Sequence, residues 1–164
     1  MVIHPKETLQ VLTIVSLANY AHILFKRLLG TRFDAAIDGG VLLRDGHAIL
    51  GRSKTWRGIA AAVLVSTCAS VFLNLEWRVG TVAGAFAMGG DCLSSFAKRR
   101  LGIEPGDMSI GLDQLPESLL PALACSFWLP LSLFDVAIIA LLFFVGQVVF
   151  SRLLFTIGLR DRPY

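Results

Sequence analysis

Residues 79–100 read VGTVAGAFAMGGDCLSSFAKRR, and 101–114 continue LGIEPGDMSIGLDQ. The first stretch is apolar and small-residue-rich, broken only by Asp91 until three bases arrive together at Lys98, Arg99 and Arg100. The run 79–97 is close to the ~18–20 residues that cross a bilayer as a helix. An ionised side chain at the bilayer centre costs about 2.5–3.5 kcal/mol even on the insertion scale, so it normally faces protein or water and marks function. At helical spacing Asp91, Ser95 and Lys98 share one face. The plain alternative is a helix-end acid that snorkels or pairs with Lys98. Gly80, Gly84, Gly89 and Gly90, interleaved with alanines, would let neighbouring helices approach closely and put this span at the centre of a bundle.

Working outward, the rest of the chain has the same character. Of 164 residues, 55% are hydrophobic and 16% charged, with a mean hydropathy of +0.69. Ordinary globular chains carry roughly 25% charge. Residues 8–25 and 58–75 are uncharged throughout, and the runs 118–134 and 136–151 are separated by Asp135 alone. The expectation is an all-α integral membrane protein of about five transmembrane helices, forming one domain over 1–164. Phe25-Lys26-Arg27 offers no small-residue cleavage site, so the first run is read as a retained span and not a signal peptide. Cys68, Cys92 and Cys125 lie in apolar segments without metal-like spacing and read as packing residues.

Thirteen of the 15 Lys and Arg fall in the first and third connections and at the C-terminal end, against Lys6 and Arg78 elsewhere. The positive-inside rule makes the crowded side cytoplasmic, with the N-terminus outside, the C-terminus inside and cytoplasmic loops at about 30–56 and 98–116. Those connections also hold Asp34, Asp38, Asp45, Glu104, Asp107 and Asp113. Orientation needs no acids. Bases mixed with acids and glycines suit phosphates and a divalent cation, because carboxylates ligate magnesium while Lys and Arg hold phosphate oxygens.

The first connection, AIDGGVLLRDGHAILGRSKTWRG (36–58), has five glycines and a turn-prone Arg-Asp-Gly. It therefore reads as a folded loop. It lacks the spacing of a Walker A loop. A basic loop touching lipid headgroups is the alternative, and Trp56 suits a water–lipid boundary either way.

These motifs in this order resemble the CDP-archaeol synthases, archaeal relatives of the CDP-diacylglycerol synthases. IDGG, RDG and KTWRG match the family's Ile-Asp-x-Gly, Asp-Gly and Lys-Thr-x-Arg-Gly. GDCLSSFAKRR, LDQ at 112–114 and the closing GLRDRPY match its later segments. The family's proline before Ile-Asp is Ala36 here, and its Gly-Asp-Gly before Lys-Thr is Gly51-Arg52-Ser53. The resemblance implies transfer of a cytidylyl group from CTP to a membrane phospholipid acid, either phosphatidic acid or an archaeal-type ether-lipid phosphate, with release of pyrophosphate. It implies Mg²⁺ on Asp91 and Asp113. Lys54, Lys98 and Arg99 would neutralise the triphosphate, with Arg57 on the lipid phosphate, as the catalytic residues. Asp38, Thr55, Ser95, Arg100 and Gln114 would bind substrate. The partners would be CTP, the lipid and the bilayer of the cytoplasmic membrane, with room for a homodimer and no nucleic acid. Two other classes stay open: a small ion or solute transporter with Asp91 as ion site, and a catalytically silent lipid-binding relative.

Overall fold

The computed structural model describes residues 3–104, 107 and 109–156, with the side chains of 154 and 155 left aside. The closing GLRDRPY therefore lies outside the described residues. Five helices follow one another: α1 (Pro5–Leu29), α2 (Trp56–Phe72), α3 (Trp77–Arg100), α4 (Gln114–Cys125) and α5 (Leu133–Thr156). Among the described residues the only β pairing is two isolated bridges, Ala36 with Thr55 and Leu42 with Ala48.

The helices alternate in direction. Gln10 on α1 donates to the Leu73 carbonyl beyond the end of α2, and the Cys125 thiol at the end of α4 reaches the Val79 carbonyl at the start of α3. Gln147 late in α5 meets Glu117 early in α4. One end of the bundle thus collects both long connections, 30–55 and 101–113, together with the last described turn of α5. α1 packs against all four other helices, and α3 against α1, α2 and α4. Val11, Ile14, Val15, Val79, Ala83, Ile139 and Phe143 fill the shared core.

The glycines of α3 divide by face. A Cβ on Gly80 would strike the Ser66 carbonyl and the Ser70 hydroxyl of α2, and one on Gly84 would strike the Ser66 hydroxyl. Gly90 lies against the Pro116–Glu117 backbone of α4, whereas Gly89 faces open space. Small residues therefore bring α2 and α4 onto two different faces of α3, by close packing of the kind that drives helix association in lipid.

Pro5–Leu29 and Leu133–Leu153 are long and apolar enough to cross a membrane, and Trp56–Phe72 is apolar but has 17 residues. Helices of this length and apolarity suit an integral membrane protein. The exposed Trp56 begins α2 at one end, while Trp77 and Trp128 sit at the other, where α3 starts and α4 has ended. Amphipathic indoles favour the two membrane–water interfaces.

The fourth element is shorter than the apolar run 118–134 suggests. α4 has 12 residues, or about 18 Å at roughly 1.5 Å per residue. Pro121 cannot donate to the Glu117 carbonyl, and after Cys125 the chain tightens into turns that end before Pro130. Asp135 lies inside α5 and not in a connection. Its carboxylate accepts from the Ser132 amide (2.9 Å) and the Ser132 hydroxyl (2.7 Å). The Ser132 hydroxyl in turn accepts from the Asp135 amide, a reciprocal cap. The Asp135 carboxylate also accepts from the His4 amide and the Thr8 hydroxyl, tying α1 to the start of α5.

Candidate functional site

The first connection is folded by its own backbone. Ile37 N–H donates to the Lys54 carbonyl and Trp56 N–H to the Ala35 carbonyl, closing the loop at its base. Asp38 organises the interior: Oδ1 accepts from Gly40 N (3.0 Å), and Oδ2 from Leu50 N (2.9 Å) and Gly51 N (2.8 Å). Burial pushes its carboxyl up, but the amides of Gly51, Leu50 and Gly40 outweigh that and hold it below the usual carboxylate range. Hydrogen bonds to the charged form favour it. Both oxygens are committed to the loop. Gly39 and Gly40 both have positive φ, a conformation open to glycine without steric cost, and they make the turn that lets the amides converge.

Three other expected site residues, the binders Thr55 and Arg100 and the catalytic Arg57, also hold the frame in place. The Thr55 hydroxyl accepts from Gly58 N at 3.2 Å. It thereby caps α2, though the residue also lines the cleft described below. Arg57 donates through Nη1 to the Gly30 (2.8 Å) and Arg32 (2.6 Å) carbonyls, fixing the chain that leaves α1. Arg100 reaches back over the loop: Nη1 lies 2.7 Å from Asp45 Oδ2, and Nη2 donates to the Ala48 carbonyl at 2.6 Å. Arg100 is thereby a clamp between the end of α3 and the hairpin at 42–48.

Inside this frame lies a cleft between the end of α1, the start of α2 and the middle of α3. Lys54 forms its floor with Asp91, Nζ to Oδ1 at 2.5 Å, and both side chains are largely shielded from solvent. Arg52, Arg57, His22 and Lys26 line the same cleft. His22 and Lys26 escaped the sequence reading, His22 because it sits in an uncharged run and Lys26 because it passes for a topology signal. The partner of Asp91 is therefore Lys54, brought in by the loop, and not Lys98 on its own helix.

A second cluster forms where α3 ends and α4 begins. Lys98 Nζ lies 2.7 Å from Asp113 Oδ1 and donates to the Asp107 carbonyl at 3.2 Å. Asp113 Oδ2 accepts from Ser109 N at 2.9 Å, while Oδ1, buried, has the ionic contact but accepts no hydrogen bond among the described residues. Arg99 is 5% exposed, and its Nε has no hydrogen-bond partner among the described residues. Gln114 is wholly buried, with Oε1 accepting from Gly111 N and Nε2 left without a described partner. Ser95 is buried on the same face of α3 as Asp91 and Lys98.

Glu117 is the other residue the sequence reading missed. It is buried on α4, its Oε2 accepts from Gln147 Nε2 at 3.0 Å, and its carboxyl lies within hydrogen-bonding reach of Asp91. The signal available was an acid four residues after Asp113, one helical turn along.

The donor set fits magnesium. Among the described residues no three His, Cys, Asp or Glu converge into a closed cage. Magnesium wants no such cage: it keeps several waters and is held by one or two carboxylates plus substrate phosphates. Asp113 Oδ1, buried beside a cation and free of hydrogen bonds among the described residues, is an oxygen of that kind.

Fold and site together define a helical membrane protein with buried acids and bases paired toward one end of the bundle. The chain belongs to the CDP-archaeol synthase family: the CarS-like family model matches residues 73–164. A CDP-archaeol synthase of Hyperthermus butylicus is 38% identical over 117 residues, covering 68% of this chain and 67% of the relative. That of Sulfurisphaera tokodaii is 31% identical, covering 73% and 76%. Against the Pyrococcus furiosus synthase, 40% identical over 88 residues, the match spans about half of the relative's length, 53%. A solved structure, described as an intramembrane enzyme for archaeal membrane lipids biosynthesis, superposes with a TM-score of 0.70 at 26% identity, over 83% of this chain and 89% of that one.

Proposed function

We propose that this protein transfers the cytidylyl group of CTP to the phosphate of an archaeal-type membrane ether lipid, giving a CDP-lipid and pyrophosphate. The observation that carries this reading is the two buried ion pairs on α3, Lys54 with Asp91 and Lys98 with Asp113. Each joins a base suited to phosphate with an acid suited to a hard cation.

An oxygen of the lipid phosphate attacks the α-phosphorus of CTP. As that bond forms, the bond from the α-phosphorus to the oxygen bridging the β-phosphate breaks, and pyrophosphate leaves with the electron pair. The attacking oxygen is already ionised near neutral pH, so no side chain must remove a proton. Catalysis is then positioning and charge neutralisation. Lys54, Lys98 and Arg99 neutralise the triphosphate and the departing pyrophosphate, and Arg57 faces the lipid phosphate. Mg²⁺ held by Asp91 and Asp113 would supply further neutralisation of the triphosphate oxygens. With CTP and the cation bound, Lys54 and Lys98 would hold phosphate oxygens, and Asp91 and Asp113 would hold the cation. No buried charge is left without a partner, which would otherwise be costly.

The excess of bases at the loop end supports a cytoplasmic placement of that end, where CTP is found, with the lipid entering laterally. A cysteine replacing Arg44 should resist an impermeant external reagent in intact cells; its labelling would reverse the orientation. For the reaction itself, purified protein is given CTP labelled in the cytosine ring with either the ether-lipid phosphate or phosphatidic acid. Label in extracted lipid with the ether substrate is expected, and no label with either lipid would overturn the reading.

A further inference from the structure

A second buried carboxyl beside Asp91 needs a reason. One carboxylate already neutralises Lys54, and a further acid removed from water is costly unless its hydrogen bonds are met. Glu117 has those contacts on both sides when one proton is held between the two carboxyls: Gln147 of α5 donates to its Oε2, and its protonated oxygen then donates to Asp91 of α3. Among the described residues α5 packs against α1 and α4 but not α3, so this side-chain chain links it to Asp91. Gly90, next to Asp91, seats directly on the Pro116–Glu117 backbone, so α4 carries Glu117 to a fixed height on α3.

We infer that Glu117 is a positioning residue for Asp91, holding its carboxylate at the cleft floor through a chain that begins at Gln147. The inference rests on the reading of Asp91 as a cation ligand. A ligating carboxylate is oriented by the groups hydrogen-bonded to it, and removing such a partner typically costs about 10–100-fold in metal affinity or activity. Glutamine at 117 would preserve the chain, its carbonyl accepting from Gln147 and its amide donating to Asp91. Leucine would break it.

The test is Mn²⁺ binding to the purified, detergent-solubilised protein with CTP present, read by the loss of the free-ion electron paramagnetic resonance signal beyond the loss that CTP alone causes. Thermal unfolding of each variant is followed alongside. Glu117→Leu should weaken Mn²⁺ about 10–100-fold while Glu117→Gln stays near wild type. Gln147→Leu, remote from the cleft, should weaken it in the same direction and covers the case in which Glu117→Leu fails to fold. Unchanged affinity in both leucine variants would overturn the inference, as would an equal loss in Glu117→Gln and Glu117→Leu, because the charge and not the chain would then matter. A wild-type protein that binds no Mn²⁺ would remove the cation reading of Asp91 and this inference with it. Wild-type Mn²⁺ binding without CDP-lipid formation would sink the proposed reaction alone.

Discussion

Two adjacent glycines in α3 should respond to the same substitution with opposite sign. Gly89 is exposed, and a Cβ there meets no neighbouring atom. Gly89→Ala should therefore recover the helix-interior penalty of glycine, about 0.5–1 kcal/mol. Gly90 is buried against the backbone of Pro116 and Glu117. Neither a carbonyl nor an amide of a packed helix can rotate away as a flexible side-chain end would, so α4 must move. Overpacking of this kind costs typically about 1–3 kcal/mol, and backbone contact puts Gly90→Ala near the top of that range. After the propensity gain, a net loss of about 2 kcal/mol remains, worth roughly 4–8 °C for a domain of this size. The shift also separates Glu117 from Asp91, so turnover should fall further than stability alone explains. The assay is thermal unfolding in detergent, with label transfer measured well below the transition. Equal stabilisation of both variants would refute the packing of α4 on Gly90.

Lys54→Ala and Arg99→Ala should each lower label transfer strongly, while Lys6→Ala and Arg78→Ala leave it near wild type; four equal responses would reduce the bases to a topology signal. Asp135 accepts from His4, Thr8 and Ser132 at the end of the bundle away from the cleft. Asp135→Asn should leave the cleft chemistry intact but lower stability by about 1.5–3 kcal/mol, the worth of hydrogen bonds to a charged group, as read by thermal unfolding. Asp38 has a depressed carboxyl, so its contribution to loop stability is fully present above the ordinary carboxylate range and is lost as pH falls through its lowered value. Proteolysis of the 36–55 loop in detergent should thus accelerate only below about pH 4, with Asp38→Asn removing that dependence.

Much of this was legible in α3, where one acid in a small-residue run followed by three bases marks both a central helix and a charged site. The folding of the first connection was equally readable from its glycines and its turn-prone Arg-Asp-Gly. Pairing was not. Asp91 and Lys98 share a face, but the helix between them rises by about 10 Å along its axis at roughly 1.5 Å per residue. A lysine carried in by a loop reaches Asp91 more easily. Glu117 was hidden for the same reason, since its partner Gln147 is 30 residues away on another helix. Nor does apolarity report where α4 stops: 118–134 is a continuous uncharged run, and only Pro121 and Pro130 mark the break.

Turnover as a function of magnesium, for wild type, Asp91→Asn and Asp113→Asn, tests the account most directly. Asparagine keeps the size of each side chain but removes the charge a hard cation requires. Both variants should nearly lose CDP-lipid formation while remaining inserted and folded, and their residual activity should need more magnesium than wild type. Wild-type turnover with an unchanged magnesium midpoint in either variant would show that its aspartate holds no metal, and would contradict the site built around α3.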